Sequence, residues 1–287
     1  MDKPLVSIIM NCYNSDQYLK DAIESVYAQT YTHWEIIFWD NGSTDESNMI
    51  ANSYNNKLKY FYTKKTTLLG MARKLATEQA KGKYLAFLDC DDLWCKDKLK
   101  KQIKIFEESE EELGIVYGGC EIIYEDGRPN TIFQKNQALP EGRVFNIFAK
   151  NDFIPFVSAV VNKKFFFNCG GFPVHLKHST DYWVFSRLTH DYPVAALQEV
   201  CCKYRVHSNN LSSSTALRIT GLLESIESLS LFLPEKAAKE GIAYYYVYLA
   251  VLYAKHWNIF RMIVVLTRNN IWWLFIKYAT KKIISFL

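Results

Sequence analysis

Asp89-Cys90-Asp91-Asp92 places three carboxylates within four residues. Like charges that close repel each other, and hard oxygen ligands of this kind suit a divalent cation, Mg²⁺ or Mn²⁺. Such a cation can neutralise a diphosphate leaving group. Taken alone, the quartet reads equally as an acidic turn or a helix cap. A second polar cluster is Asp40-Asn41-Gly42-Ser43-Thr44-Asp45. It reads as a turn with a cap at Ser43 or Thr44, or as a nucleoside pocket in which Asp40 or Asn41 bonds a base edge. Asp181 opens an expected helix beyond the Gly170-Gly171-Phe172 turn. The helix dipole would keep its carboxylate ionised, which suits a general base, although capping is the commoner role of such an Asp. His175, His178 and Asp181 are three apart but lie in a loop, which disfavours a zinc site, and Cys201-Cys202 lacks a matching second pair.

Those residues need elements to position them. Val6–Met10 is a short, fully apolar, β-branched run and reads as a buried strand, with Asn11 and Asn14 at its end. Leu19, Ala22, Ile23 and Val26 follow at helical spacing. Strands are expected over 34–39, 58–62 and 84–88, with a helix over 71–80. Strand, helix, strand, helix, strand predicts an α/β fold with a parallel sheet. Ligands in such sheets sit at the carboxyl ends of strands, where Asn11, Asn14, Asp40, Asn41, Asp89, Asp91 and Asp92 all fall. Beyond them, a helix is expected over 96–112, strands over 115–124, 157–161 and 200–206, a helix over 181–188, and mostly helix from Thr215. No Gly-x-Gly-x-x-Gly follows the first strand and no Gly-x4-Gly-Lys-[Ser/Thr] occurs, which disfavours a dinucleotide fold and a Walker loop.

The 287 residues suffice for one large domain or two modest ones, and 49% hydrophobic with 22% charged is a globular balance. A net charge of +4 does not imply a nucleic-acid face. The charge is uneven, however. After Glu240 there is no acidic residue, while Lys255, Arg261, Arg268, Lys277, Lys281 and Lys282 are basic. Seven cysteines, an odd number with no secretory leader before them, are expected as reduced thiols in the cytoplasm. No run of about 18 uncharged apolar residues predicts a membrane span.

In these segments the chain resembles the family 2 glycosyltransferases of the GT-A fold. The resemblance rests on 6–14, on 40–45, on Gly70-Met71-Ala72-Arg73, on 80–92, on Thr180-Asp181-Tyr182-Trp183 and on Tyr204-Arg205-Val206-His207, in that order. It covers about residues 4–213. It implies a mostly parallel central sheet with a catalytic domain over 1–213, followed by a C-terminal helical, basic-aromatic segment over 214–287. It also implies inverting transfer from a nucleotide-diphospho-sugar, a UDP-sugar first, to a glycan or lipid-linked acceptor in surface polysaccharide synthesis. Asp181 would be the catalytic base. Asn11, Asn14, Asp40, Asn41, Arg73, Asp91 and His207 would bind the donor. Asp92 would bind Mn²⁺ or Mg²⁺ directly, and Asp89 would shape the metal loop. Three positions depart from the family pattern. Asn41 stands for a common Asp, Lys74 for an Asn, and Thr180 for a Glu. An amide at 41 still offers a donor and an acceptor to a uracil edge.

The tail is read separately. Tyr244–Ala254 and Ile271–Ile276 are aromatic and apolar, and lysines follow. That pattern suits an interfacial helix on the anionic inner leaflet, which would place the protein on the cytoplasmic membrane's inner face. The alternative is packing on the catalytic domain or on a second subunit. Two other functions compete with the enzyme reading. One is a non-catalytic nucleotide-sugar-binding scaffold, which would need no base. The other is a nucleotidyltransferase, which would carry a basic Gly-rich loop where Asn11-Cys12-Tyr13-Asn14 stands.

Overall fold

β1 (Val6–Cys12), β2 (Trp34–Asp40), β3 (Leu58–Tyr62) and β4 (Tyr84–Phe87) lie side by side in the order β3-β2-β1-β4. All three pairings are parallel. The computed structural model describes residues 3–135, 137–208, 210, 215–231, 235–255 and 258–276. Parallel neighbours require crossovers. These are α1 (Asp16–Tyr27), α2 (Ser47–Asn52) and α3 (Leu69–Glu78). The β-branched, aliphatic and aromatic runs of the strands are buried on both faces, as a helix-covered sheet demands.

The sheet then changes character. β5 (Leu93–Trp94), α4 (Lys98–Glu108), β6 (Ile115–Tyr124) and β7 (Thr131–Ile132) are followed by α5 (Phe145–Phe148), β8 (Val160–Asn162) and α6 (Lys163–Asn168). α7 (Thr180–Asp191) and β9 (Val194–Val206) complete this part. The full order is β3-β2-β1-β4-β8-β6-β9-β5, with β7 on β6. β8 runs antiparallel to both β4 and β6, and β5 antiparallel to β9. The sheet is therefore parallel where the sequence pattern is clearest and mixed beyond it. The strand expected over 157–161 begins only at Val160. Ser158 donates its amide and its hydroxyl to the Pro155 carbonyl, closing a tight 3₁₀ turn over Phe156–Ser158 instead.

Alternation along β1 feeds two cores. Val6, Ile8 and Met10 face α1 and α4, while Ile9 faces the side covered by α3 and α7. α8 (Thr215–Leu229) and α9 (Glu235–Lys255) join the second core through Ile219, Leu222, Leu223, Leu229, Tyr245 and Leu249. Much of the aromatic run at 244–254 is thus packed against the protein, with Tyr245 edge-on to Tyr182 at 5.7 Å. α10 (Ile259–Arg268) packs on α9, where Leu266 joins Val247, Ala250 and Ile271 in a small cluster. The expected boundary at 213/214 and the lysines at 277, 281 and 282 lie outside the described residues.

Candidate active site

The parallel register brings the polar strand ends together. Cys12 pairs with Asp40 across β1 and β2, and Ile9 with Phe87 across β1 and β4, so Asn11 and Asp89 each lie two residues past the last β1–β4 pair. The side-chain amide nitrogen of Asn11 is buried with no hydrogen-bond partner among the described residues. Asn14 adopts a left-handed backbone (φ 50°), which an Asn tolerates. Its Oδ1 accepts from the Thr44 amide at 2.8 Å, so it ties the first turn to the second.

Asp40 is fully buried, and both its oxygens are engaged. Oδ1 accepts from the Ser43 amide at 2.7 Å and Oδ2 from the Tyr60 hydroxyl at 2.7 Å. Asn41 is paired reciprocally with Thr67. Its Nδ2 donates to the Thr67 carbonyl at 3.0 Å, and its Oδ1 accepts from the Thr67 amide at 3.1 Å and hydroxyl at 3.0 Å. These bonds brace the pocket wall and leave Asn41 Nδ2 one further N–H to donate. Thr67 and Tyr60 were not legible as site residues, because nothing local marks them.

The acidic turn closes through the Asp92 amide on the Asp89 carbonyl at 3.2 Å, and the three carboxylates separate in role. Asp91 Oδ2 accepts from His207 Nε2 at 2.9 Å and Asn210 Nδ2 at 3.1 Å. Asp92 is buried, and its Oδ1 accepts from the Arg205 amide at 2.8 Å, while its Oδ2 has no partner among the described residues. Burial, then the charges of Asp91 and Asp89, push the Asp92 carboxyl well above the usual range. Asp89 opens to the cleft on one side, with 38% of its side chain exposed. The protein packed around the rest raises it to about 6. Arg73 opposes that shift, and Asp91 and Asp181 add to it. The antiparallel β5–β9 pair, Leu93 opposite Lys203, delivers Arg205 and His207 to the turn. Arg205 also donates its Nε to the Asp91 carbonyl at 3.0 Å and lies over the Tyr18 ring at 4.5 Å. The Tyr-Arg-Val-His segment had flagged Arg205 without a role; Asn210 carried no signal.

Arg73 links this turn to α7. Its Nη2 meets Asp89 Oδ1 at 3.3 Å and its Nη1 donates to the Thr180 hydroxyl at 2.8 Å. The guanidinium stacks over Phe156 at 3.9 Å. Thr180, the departure from the family's Glu, is therefore a buried partner of Arg73. One residue on, Asp181 sits in the first turn of α7, and among the described residues its carboxylate makes no hydrogen bond or ion pair. Ser179 before it is left-handed (φ 50°) and does not cap the helix with its side chain. α8 holds this entry in place. Ser225 donates its hydroxyl to the Ser179 carbonyl at 3.0 Å, and His175 Nε2 bonds the Ser228 hydroxyl at 3.0 Å. A Cβ on Gly221 would stand 2.7 Å from that of His178, so only glycine permits this approach. His175 is thus a bracing residue, not a zinc ligand.

No three His, Cys, Asp or Glu side chains among the described residues form a closed metal cage. The acidic turn nonetheless fits a cation held jointly with a diphosphate. It offers hard oxygens, mutual repulsion that a cation relieves, and the unpartnered Asp92 Oδ2. Magnesium-type ions are commonly bound by one or two carboxylates plus substrate phosphates.

A mixed α/β sheet whose parallel half ends in an acidic turn at its carboxyl edge is the arrangement of the GT-A fold. Residues 7–172 match the family model "Glycosyl transferase family 2", and the chain belongs to that family. It is 31% identical over 217 residues to the UDP-Glc:alpha-D-GlcNAc-diphosphoundecaprenol beta-1,3-glucosyltransferase WfgD of Escherichia coli, covering 75% of this chain and 82% of that one. Among solved structures it resembles S. aureus TarS 1-349 in complex with UDP-GlcNAc, with TM-score 0.64, 20% identity, and coverage of 84% of this chain and 71% of that one. It also resembles the mannosyltransferase PcManGT of Pyrobaculum calidifontis in complex with GDP-Man and Mn²⁺, with TM-score 0.66, 16% identity, and coverage of 100% and 81%. At those identities the solved structures establish the shared fold.

Proposed function

We propose that this glycosyltransferase is inverting, takes a UDP-sugar as donor, and delivers the sugar to a hydroxyl of a lipid-linked or glycan acceptor in surface polysaccharide synthesis. The observation that carries the reading is the contrast between Asp181 and its neighbours. Each turn carboxylate and Arg73 has at least one protein partner, whereas the Asp181 carboxylate has no hydrogen bond or ion pair at either oxygen among the described residues. A binding scaffold has no use for such a carboxylate. The UDP donor and the lipid-linked acceptor are supported by WfgD, whose name carries both, and by the TarS complex with UDP-GlcNAc.

In this reading Asn11 and the wall formed by Asp40, Asn41 and Thr67 line the nucleoside end. Asp91, held by His207 and Asn210, would lie near the ribose, and Asp92, in the loop that Asp89 shapes, would hold a divalent cation, Mn²⁺ being the ion in the PcManGT complex. When bound, that cation supplies positive charge to the departing diphosphate. Arg73 and Thr180 fix Asp89 and the start of α7 relative to each other. The acceptor hydroxyl attacks the anomeric carbon on the face opposite the diphosphate. The new carbon–oxygen bond forms as the bond to the phosphate oxygen breaks through an oxocarbenium-like state. Asp181 takes the hydroxyl proton, and the nucleoside diphosphate leaves.

The test is a thermal-shift titration with UDP, GDP, dTDP and CDP, each with Mn²⁺ and with chelator, alongside assay of nucleotide release from matching donors. The expected result is stabilisation by UDP in the presence of Mn²⁺, with acceptor-dependent UDP release. Preference for another nucleotide overturns the donor. Binding without turnover on any acceptor tried, lipid-linked ones included, overturns the enzyme reading in favour of the scaffold.

A further inference from the structure

We infer that the outer face of α10, with the short helix after it, docks on an anionic lipid surface. α10 buries one face and leaves the opposite one apolar. Met262, Val265 and Leu266 turn toward α9. Ile259, Phe260, Ile263 and Val264 turn outward, and Phe260 is 78% exposed. Positions i, i+1, i+4 and i+5 form one continuous stripe on a helix, where a solvated helix places polar groups. α1 does so: its exposed residues are Gln17, Lys20, Asp21 and Glu24. Trp272, Trp273 and Ile276 extend the apolar surface one turn further along the chain, and Trp273 is 64% exposed. A patch with this many large side chains has a partner.

Charge identifies the partner. Arg261 and Arg268 lie two helical turns apart, on one border of the stripe. From residue 241 onward no acidic residue offsets them. A second copy seated face to face would oppose the same basic groups, whereas an anionic bilayer complements them. Exposed Trp and Phe beside Arg is the composition of an interfacial helix. The mode is lying on the surface rather than crossing it. No helix among the described residues is long and apolar enough to span, and the ten residues of α10 reach only about 15 Å.

The docking face is also placed to serve the reaction. α10 packs on α9, α9 on α8, and α8 braces the loop that leads into Asp181. The helix that would meet the lipid is thus joined through α9 and α8 to the loop that leads into Asp181. In this respect the inference rests on the lipid-linked acceptor reading; the lipid contact itself does not.

Co-sedimentation of the full chain with vesicles tests it, comparing phosphatidylcholine with phosphatidylcholine–phosphatidylglycerol mixtures. The wild type is expected to pellet with the anionic vesicles and much less with the neutral ones, the difference shrinking as salt is raised. Phe260→Glu/Val264→Glu should lower anionic-vesicle binding at least tenfold, and Arg261→Glu/Arg268→Glu should remove the preference for anionic lipid. Both variants should keep the wild-type melting temperature and UDP-dependent thermal shift, which separates lost docking from lost folding. Wild type that stays in the supernatant with both vesicles overturns the inference. So does a wild-type dimer that Phe260→Glu/Val264→Glu converts to monomer without changing vesicle binding. Vesicle binding with no transfer activity leaves the docking face standing and removes the acceptor reading instead.

Discussion

The two ends of β1, β2 and β4 carry the same kinds of residue and treat them oppositely. At the amino ends the polar groups form a closed network. Glu35 Oε1 accepts from the Ser7 hydroxyl at 2.7 Å and the Lys81 amide at 2.9 Å, and Oε2 faces Lys59 at 3.5 Å. Ser7 in turn accepts from the Gly82 amide at 2.8 Å, at a contact so close that a Cβ on Gly82 would stand 2.6 Å from the Ser7 nitrogen. At the carboxyl ends the network is open. Asn11 Nδ2, Arg73 Nε and Asp92 Oδ2 are buried without partners among the described residues, and the Asp181 carboxylate makes no hydrogen bond or ion pair among them. A buried polar atom left unpaired costs about 1–3 kcal/mol. A fold tolerates several at one edge when a ligand completes them. The amino edge is closed by its own partners, and the carboxyl edge, on the function proposed above, is completed by a ligand.

Two substitutions break that comparison if it is wrong. Asp181→Asn removes the proton acceptor while keeping size and helix position. Turnover should fall by about 10²–10⁴-fold, with the UDP-dependent thermal shift and apo stability nearly unchanged. Retained turnover in a steady-state UDP-release assay would show that the free carboxylate is not the base. Glu35→Ala acts at the other edge. It strips the acceptor from a buried hydroxyl and a backbone amide, so urea unfolding should show a loss of about 3 kcal/mol. The donor's dissociation constant should not move, because no described contact joins Glu35 to the carboxyl edge. A large affinity change with intact stability would mean the two edges are not separable.

Much of this division was legible because it is local. β1, β2 and β4 are short apolar runs that end abruptly in polar residues, and a parallel sheet then forces those ends to one edge. The acidic quartet needed only that logic, while Asp181 rests on its place at a helix start and on the family resemblance. What stayed hidden depends on partners far apart in sequence. Thr67 lies 26 residues from Asn41, Thr180 107 from Arg73, and Asp91 116 from His207. Asn41 is expected as a base reader from its type and turn, and only the folded chain shows that its amide is also paired with Thr67. β5 has two residues and no pattern to read, yet it carries the register that brings Arg205 to Asp92. The reversal at β8 was missed because an apolar run announces burial without announcing direction. The tail was half legible. One aromatic run packs inward and the next stripe faces out, and side-chain type alone does not separate them.

The smallest expected effect sharpens the comparison most. Asp92→Asn at the open edge should raise apo stability by about 1 kcal/mol, opposite in sign to Glu35→Ala. Asn can still accept the Arg205 amide through Oδ1. Its Nδ2 then takes the place of the unpartnered Oδ2, so a group that repelled Asp89 and Asp91 becomes one they attract. The same exchange removes a charge that a divalent cation would use, so the Mn²⁺-dependent part of the UDP thermal shift should shrink. Two buried carboxylates would thus give opposite stability changes, because one has its partners in the fold and the other lacks them until substrate arrives. If urea titration shows Asp92→Asn destabilised as Glu35→Ala is, Asp92 is a structural carboxylate and the open edge is narrower than its orphaned atoms indicate.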